Sequence, residues 1–334
     1  FEQLENTRLA EQMFRRLFVD TPLSQDIKAA PAWAVLAEVI MDSGVRLSSK
    51  LRQEWIKKSW GFYLQYPHFY RHDYPSESFV SLNVALWTEQ FEAWEHFSQV
   101  AEAMDLTQLS LRGCKNLNSL ERIAELKGLQ WIDLGNTGMT DVSPLAACST
   151  LKGLYLNNTG VTDVSPLVAC SALNTLFLDS TGVTDVSPLA ACSALEMLLL
   201  GNTSVTDVSP LAACSALEQL YLSNTGVTDV SPLAACSALN TLFLDSTGVT
   251  DVSPLAACSA LKTLLLSNTR VTDVSPLATC SALEILDLSN TGVTDVSPLA
   301  TCTALEMLGL SNTGVTDVSM LQREGLIIDG VKEE

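Results

Sequence analysis

From Leu106 onward the apolar positions recur on two superposed periods. The short one is the alternation Leu-x-Leu, and the long one carries Leu151 to Leu173 and Leu173 to Leu195. The string Leu-x-x-Leu-x-Leu starts at Leu106, at Leu129 (with Ile132 at its centre), and then at Leu151, Leu173, Leu195, Leu217, Leu239, Leu261, Leu283 and Leu305. The first step is twenty-three positions and each later one twenty-two, which gives ten repeats and a short tail from about Leu326. Segment 173–194 recurs letter for letter at 239–260. A fixed period of this length marks a stack of coils.

One repeat, residues 151–172, shows what each coil must be. Leu154 and Leu156 alternate with Tyr155, the pattern of a strand with one buried face. Thr159 is expected to turn inward, Gly160 to permit a bend, and Val161 and Val164 to return to the core. Ser165-Pro166 reads as N-cap and first residue of a short helical turn. Leu167 and Cys170, three apart, form its buried side. Stacked coils would build one parallel sheet, ~4.8 Å per strand. No coil can bury its own apolar side, so its neighbours complete the core and the ends need caps. At the C-terminal end Met320–Glu324 replaces the apolar Pro-Leu-Ala-Ala-Cys, and Leu326-Ile327-Ile328 can supply a closing strand.

Residues 1–105 follow a different pattern. They hold 17 of the 22 aromatic residues and all three His. Leu9, Met13, Phe14, Leu17 and Phe18 share one helical face, which Thr21-Pro22 ends. Pro31 can open a second helix running to Gly44, and Ser48 or Ser49 can cap a third that ends before Pro67. A fourth, about 77–104, carries Leu82, Leu86, Trp87, Phe91, Trp94, Phe97 and Ala101 along one stripe. The expected organisation is an α-helical capping or docking domain over 1–105, followed by the repeat domain over 106–334.

The repeats resemble the leucine-rich repeat family, in its internalin-like type, whose coils have this same length and carry a similar Asp-Ile-x-Pro-Leu element. Here the element reads Thr-Asp-Val-Ser-Pro-Leu, from Thr140–Leu145 to Thr294–Leu299, with Met320 replacing Pro in the last copy. Thr137, Thr159 and their equivalents occupy the family's usual Asn position, with Cys114 there in the first repeat. Cys148 through Cys302 stand where Leu is common. This Cys/Thr variant resembles leucine-rich repeat proteins of kinetoplastid protists. The resemblance covers 106–326 and implies an α/β solenoid, a horseshoe or arc with one parallel sheet on its concave face. It also implies that the non-Leu positions of Leu-x-x-Leu-x-Leu point from that face into solvent.

Those are the positions at which the repeats differ most. The middle one reads Ser110, Asp133, Tyr155, Phe177, Leu199, Tyr221, Phe243, Leu265, Asp287, Gly309. Six consecutive coils offer a large apolar group, a stripe ~24 Å long. Trp131, Met197, Ile285 and Met307 flank it, and Asp133, Asp179, Asp245, Asp287, Glu196, Glu218 and Glu284 rim it. An aromatic core with a polar rim is how protein interfaces are commonly built. The expected partner-binding residues are therefore Trp131, Asp133, Tyr155, Phe177, Met197, Leu199, Tyr221, Phe243, Leu265 and Asp287. The competing explanation is that these side chains stack on one another only to stiffen the sheet.

Composition narrows the partner. Lys+Arg number 19 against 38 Asp+Glu, a net charge of −19, which repels nucleic acid and anionic membranes. No apolar run approaches the ~20 residues of a bilayer span. The chain opens at Phe1 rather than Met, which leaves room for a removed targeting segment.

No catalytic or cofactor chemistry stands out. One Cys per coil, from Cys148 to Cys302, reads as reduced core thiols and points to a reducing compartment, cytoplasm first. A metal array would need Cys-x-x-Cys or His partners. The single file of Asp141, Asp163 and so on to Asp317 reads as turn acceptors rather than calcium ligands. His68 and His72 lie in a loop-like run without a third ligand. Asn157-Asn158-Thr159 and Asn202-Thr203-Ser204 match the glycosylation sequon. The expected function is a non-catalytic, intracellular scaffold for protein–protein interaction, holding a partner with apolar anchors and some Lys/Arg. The alternatives are a structural subunit of a large assembly docking through 1–105, a surface or secreted adhesin, and an enzyme whose catalytic part is 1–105.

Overall fold

The computed structural model describes residues 107–331, apart from 114–116, 118, 122 and 127. The four helices expected within 1–105, and His68 and His72, lie outside the described residues. The chain divides between Leu117 and Asn118 into two units. In the first unit Gln108–Ser110 form strand β1, with Leu109 and Leu111 buried.

The second unit is the coil stack. Its strands are β2 (Trp131–Asp133), β3 (Gly153–Tyr155), β4 (Thr175–Phe177), β5 (Met197–Leu199), β6 (Gln219–Tyr221), β7 (Thr241–Phe243), β8 (Thr263–Leu265), β9 (Ile285–Asp287), β10 (Met307–Gly309) and β11 (Ile327–Asp329). Each pairs in parallel with the next, with no shift of register: Leu154 lies beside Leu176, and Leu176 beside Leu198. The C-terminal Ile327–Asp329 closes the sheet against Met307–Gly309.

Each coil is filled by its own repeat. In 173–194 the side chains of Leu173, Leu176, Leu178, Val183, Val186, Leu189 and Cys192 are at most 1% exposed. The backbone bonds run between coils as well as along the strands. Leu156 N–H donates to the Phe177 carbonyl at 2.8 Å, Asn158 N–H to Asp179 at 3.0 Å, and Gly160 N–H to Met139 at 2.8 Å.

Two expectations about the turns are corrected. The bend is not made at Gly160. Asn158, two residues earlier, holds a left-handed conformation (φ 55°), as do Asn136, Ser180 and their equivalents through Asn312. Asn adopts that region more readily than most side chains. Thr159 does turn inward, and its hydroxyl donates to the Leu156 carbonyl at 2.6 Å, which satisfies a buried polar group.

The second correction concerns the cap. The helical turns are five-residue 3-10 segments such as Ser165–Ala169, preceded by Val164 rather than capped by Ser165. The Asp ahead of the segment takes the capping role. Asp163 accepts the Ser165 N–H at 2.8 Å and the Ser165 hydroxyl at 3.0 Å. Equivalent bonds from the matching serines hold the carboxyls of Asp141, Asp185, Asp229 and Asp273 below the usual carboxylate range.

The eight Cys from Cys148 to Cys302 are buried. Cys170 donates its S–H to the Leu145 carbonyl of the preceding coil at 3.5 Å, and the pattern repeats up to Cys302 on Leu277 at 3.3 Å. Burial first, then the neighbouring thiols, pushes Cys170, Cys214 and Cys258 up to about 11. The fold favours the neutral thiol. Its contribution is therefore complete below the ordinary value of 9.0 and is lost as pH rises through about 11. The melting temperature should hold up to pH 9 and then fall steeply towards pH 11. A Cys214→Ala variant should start lower and fall less steeply, read by circular dichroism.

At the C-terminal end Arg323 donates to the carbonyls of Cys302 at 2.6 Å and Leu305 at 2.9 Å, closing the last full coil. Charge-assisted bonds of this kind contribute ~1.5–3 kcal/mol. Arg323→Met should cost about 2 kcal/mol in urea denaturation, with the loss of amide protection concentrated in 299–329.

Candidate functional site

Because the coils share one register, residues at equal positions form columns across the sheet. The third strand position carries Asp133, Tyr155, Phe177, Leu199, Tyr221, Phe243, Leu265 and Asp287 as consecutive neighbours. Trp131 and Met197 stand in the parallel column formed by the first strand position. The structure thus brings all ten sequence-derived candidates onto one side of the sheet, opposite the buried central leucines. All ten are half-buried.

The half-burial has a cause. Phe177 stands edge-on to Tyr155, with ring centres 4.6 Å apart and planes at 79°. Phe243 meets Tyr221 in the same way, at 4.5 Å and 67°. Edge-to-face pairs contribute ~0.5–1.5 kcal/mol each beyond their buried area. Leu199 separates the two pairs and Leu265 follows the second. Stacking is therefore real, and it leaves each ring half-buried rather than buried.

Around the stripe the polar groups are tied down locally. Asp133 accepts the Gly135 N–H at 3.0 Å, and Asp287 that of Ser289 at 2.9 Å. Asp245 accepts the hydroxyls of Ser223 at 3.1 Å and Ser267 at 2.7 Å, and so bridges three coils. Lys262 pairs with Glu284 at 3.0 Å. That exposed pair contributes at most ~1 kcal/mol. The turn aspartates sit elsewhere, exposed ahead of the 3-10 segments. Among the described residues, no group of three His, Cys, Asp or Glu could hold a metal ion. Of the two sequons, Asn157 is buried whereas Asn202 is exposed.

Sequence reasoning missed Gly153. A side chain there would overlap the Trp131 ring, which lies across the glycine and stacks on Tyr155 at 6.3 Å. The signal was present: the smallest residue follows, in the next coil, the only Trp of the repeats. It placed Ile327 in the closing strand but not among the outward residues, where it is 61% exposed and extends the Ile285 and Met307 column to the end of the sheet.

The family model for leucine-rich repeats (two copies) matches residues 193–235, 215–257, 259–301 and 281–323. Among solved structures, an internalin (inlF) from Listeria monocytogenes is 26% identical, with TM-score 0.57, over 67% of this chain and 72% of that one. Internalin C2 (inlC2) of the same organism is 34% identical, with TM-score 0.55, over 56% of this chain and 83% of that one. The functional domain of its InlJ, which includes a cysteine ladder, is 20% identical, with TM-score 0.55, over 68% of this chain and 53% of that one. No curated protein matches the chain. The chain belongs to the leucine-rich repeat family, and its repeats are of the internalin type.

Proposed function

We propose that the open, concave face of the sheet is a non-catalytic docking surface for a protein partner that brings apolar anchors among Lys or Arg. The observation that carries this is where the repeats vary. Turns and buried positions are nearly constant from coil to coil, whereas the outward strand positions change and place six apolar side chains in a row. A row rimmed by carboxylates favours a partner of opposite charge. Contact with nucleic acid is disfavoured by the −19 charge.

The remaining parts of the reading follow from chemistry. Thiols buried as hydrogen-bond donors suit a reducing, intracellular compartment. Among the described residues no helix is long and apolar enough to cross a membrane. Residues 1–105, rich in aromatics, serve as a second docking part. A structural subunit held mainly through that part is the competing reading.

The test replaces Tyr155, Phe177, Tyr221 and Phe243 together with Ser. Removing clustered aromatic anchors costs ~2 kcal/mol or more each at an interface. Affinity for a partner retained from cell extract should fall at least about 100-fold. The coils should still melt cooperatively, because none of the four belongs to the buried core. Undiminished capture would shift the docking function to 1–105.

A further inference from the structure

The stripe is not uniform. Residues 151–216 and 217–282 are two successive three-coil blocks that differ at nine positions. Six of the nine lie on or beside the sheet face, at 152, 153, 157, 196, 197 and 201 in the first block and at 218, 219, 223, 262, 263 and 267 in the second. The Tyr-Phe-Leu order is kept in both blocks. So is its geometry: the ring centres of the two edge-on pairs are 4.6 Å apart in the first block and 4.5 Å in the second. Thr175 and Thr241 each donate to the preceding Asn, at 3.1 and 2.9 Å.

We propose that the face carries two equivalent aromatic notches, Tyr155/Phe177 and Tyr221/Phe243, which take two apolar side chains of one extended, cationic peptide segment, four residues apart in that segment. This rests on the docking function proposed above. Three coils separate the notches by ~14 Å. An extended chain advances ~3.4 Å per residue, so four residues span ~14 Å and return the side chain to the same side. A helix brings a side chain back to the same face after four, seven, eight or eleven residues, at ~6, ~10, ~12 or ~16 Å, none of which matches ~14 Å as closely as the extended spacing.

Charge selects the occupant. Between the notches the rim carries Glu196 and Glu218, while Lys152 and Lys262 stand at the outer ends. A cationic residue between the two anchors therefore meets carboxylates on both coils. A second copy of this chain is a poor occupant, because both bodies carry −19. The notches differ in their surroundings. Trp131 over Gly153 extends the first with apolar surface, whereas at the second the Tyr221 hydroxyl donates to Gln219 at 3.3 Å. The more apolar anchor should seat at the first.

The probe is a set of short synthetic Ser/Arg peptides with two Trp anchors set three, four, five or six residues apart, titrated against the whole chain by fluorescence anisotropy. The four-residue spacing should bind about tenfold tighter than three or five. Phe177→Ala and Phe243→Ala, each confirmed folded by circular dichroism, should both erase that preference. Glu196→Gln with Glu218→Gln should weaken only peptides with Arg between the anchors. Equal affinity at every spacing, with both Phe variants still weakening binding, overturns the paired notches and leaves the docking function standing. No measurable binding of any peptide, or binding that neither Phe variant weakens, overturns the inference as well; the Ser variants of the preceding section then decide the docking function separately.

Discussion

A single coil cannot close its own core, and every other feature of the repeat unit follows from that constraint. The Leu, Val and Cys side chains of one coil are covered by the coils on either side. The backbone is equally dependent: Leu156 and Asn158 donate to carbonyls of the next coil, and Gly160 to one of the coil before. Neighbouring coils must therefore follow the same path. Whatever sets the path is held constant, namely the left-handed residue at Asn158 or Ser180, the Thr159 hydroxyl on Leu156, and the Asp163 carboxylate on Ser165. Variation is driven to the positions that set nothing, and those are the outward strand positions.

This explains which parts of the fold were legible. The strand, the buried leucines and valines and the two columns of outward residues depend only on period, and period is written in the sequence, whereas the closing strand at Ile327, which falls short of the period, was legible from its apolar run. The turn was harder because its residues offer rival solutions. Thr-Asp-Val-Ser-Pro contains three side chains able to cap, and only geometry shows that Asp163 accepts from the backbone while Ser165 donates to Asp163. Gly160 misled for a related reason. Its φ is not unusual, and although a Cβ there would come within 2.8 Å of the Thr140 methyl, the place does not demand glycine. The same place is filled by Ser204 and Arg270 in other coils, which a left-handed glycine position would seldom tolerate.

The candidate site divides in the same way. Membership of the column was readable, because register and period give it directly. The two edge-on pairs, and the Trp131 ring lying across Gly153, depend on rotamers chosen between coils. The cysteines show the converse. Their burial was readable from spacing, but the direction of each S–H, toward a carbonyl of the preceding coil, was not. That direction matters chemically, because a thiol already donating in a desolvated place is a poor nucleophile.

Stacking within the sheet and docking on it are often posed as rivals, yet the geometry of this face joins them. A ring held by its neighbour has already lost most of its rotamer freedom, so a partner that packs on its exposed part need not supply that ordering free energy. The half-burial of Tyr155, Phe177, Tyr221 and Phe243 is the state such a preordered surface would show. The rim supports the same conclusion from the other side. A column kept only to stiffen the sheet would gain nothing from changing its flanks, whereas here Lys152 and Glu196 in one block become Glu218 and Lys262 in the next around an unchanged aromatic pair. Constant rings with reversed flanking charges suit a surface that holds two parts of one ligand and tells them apart.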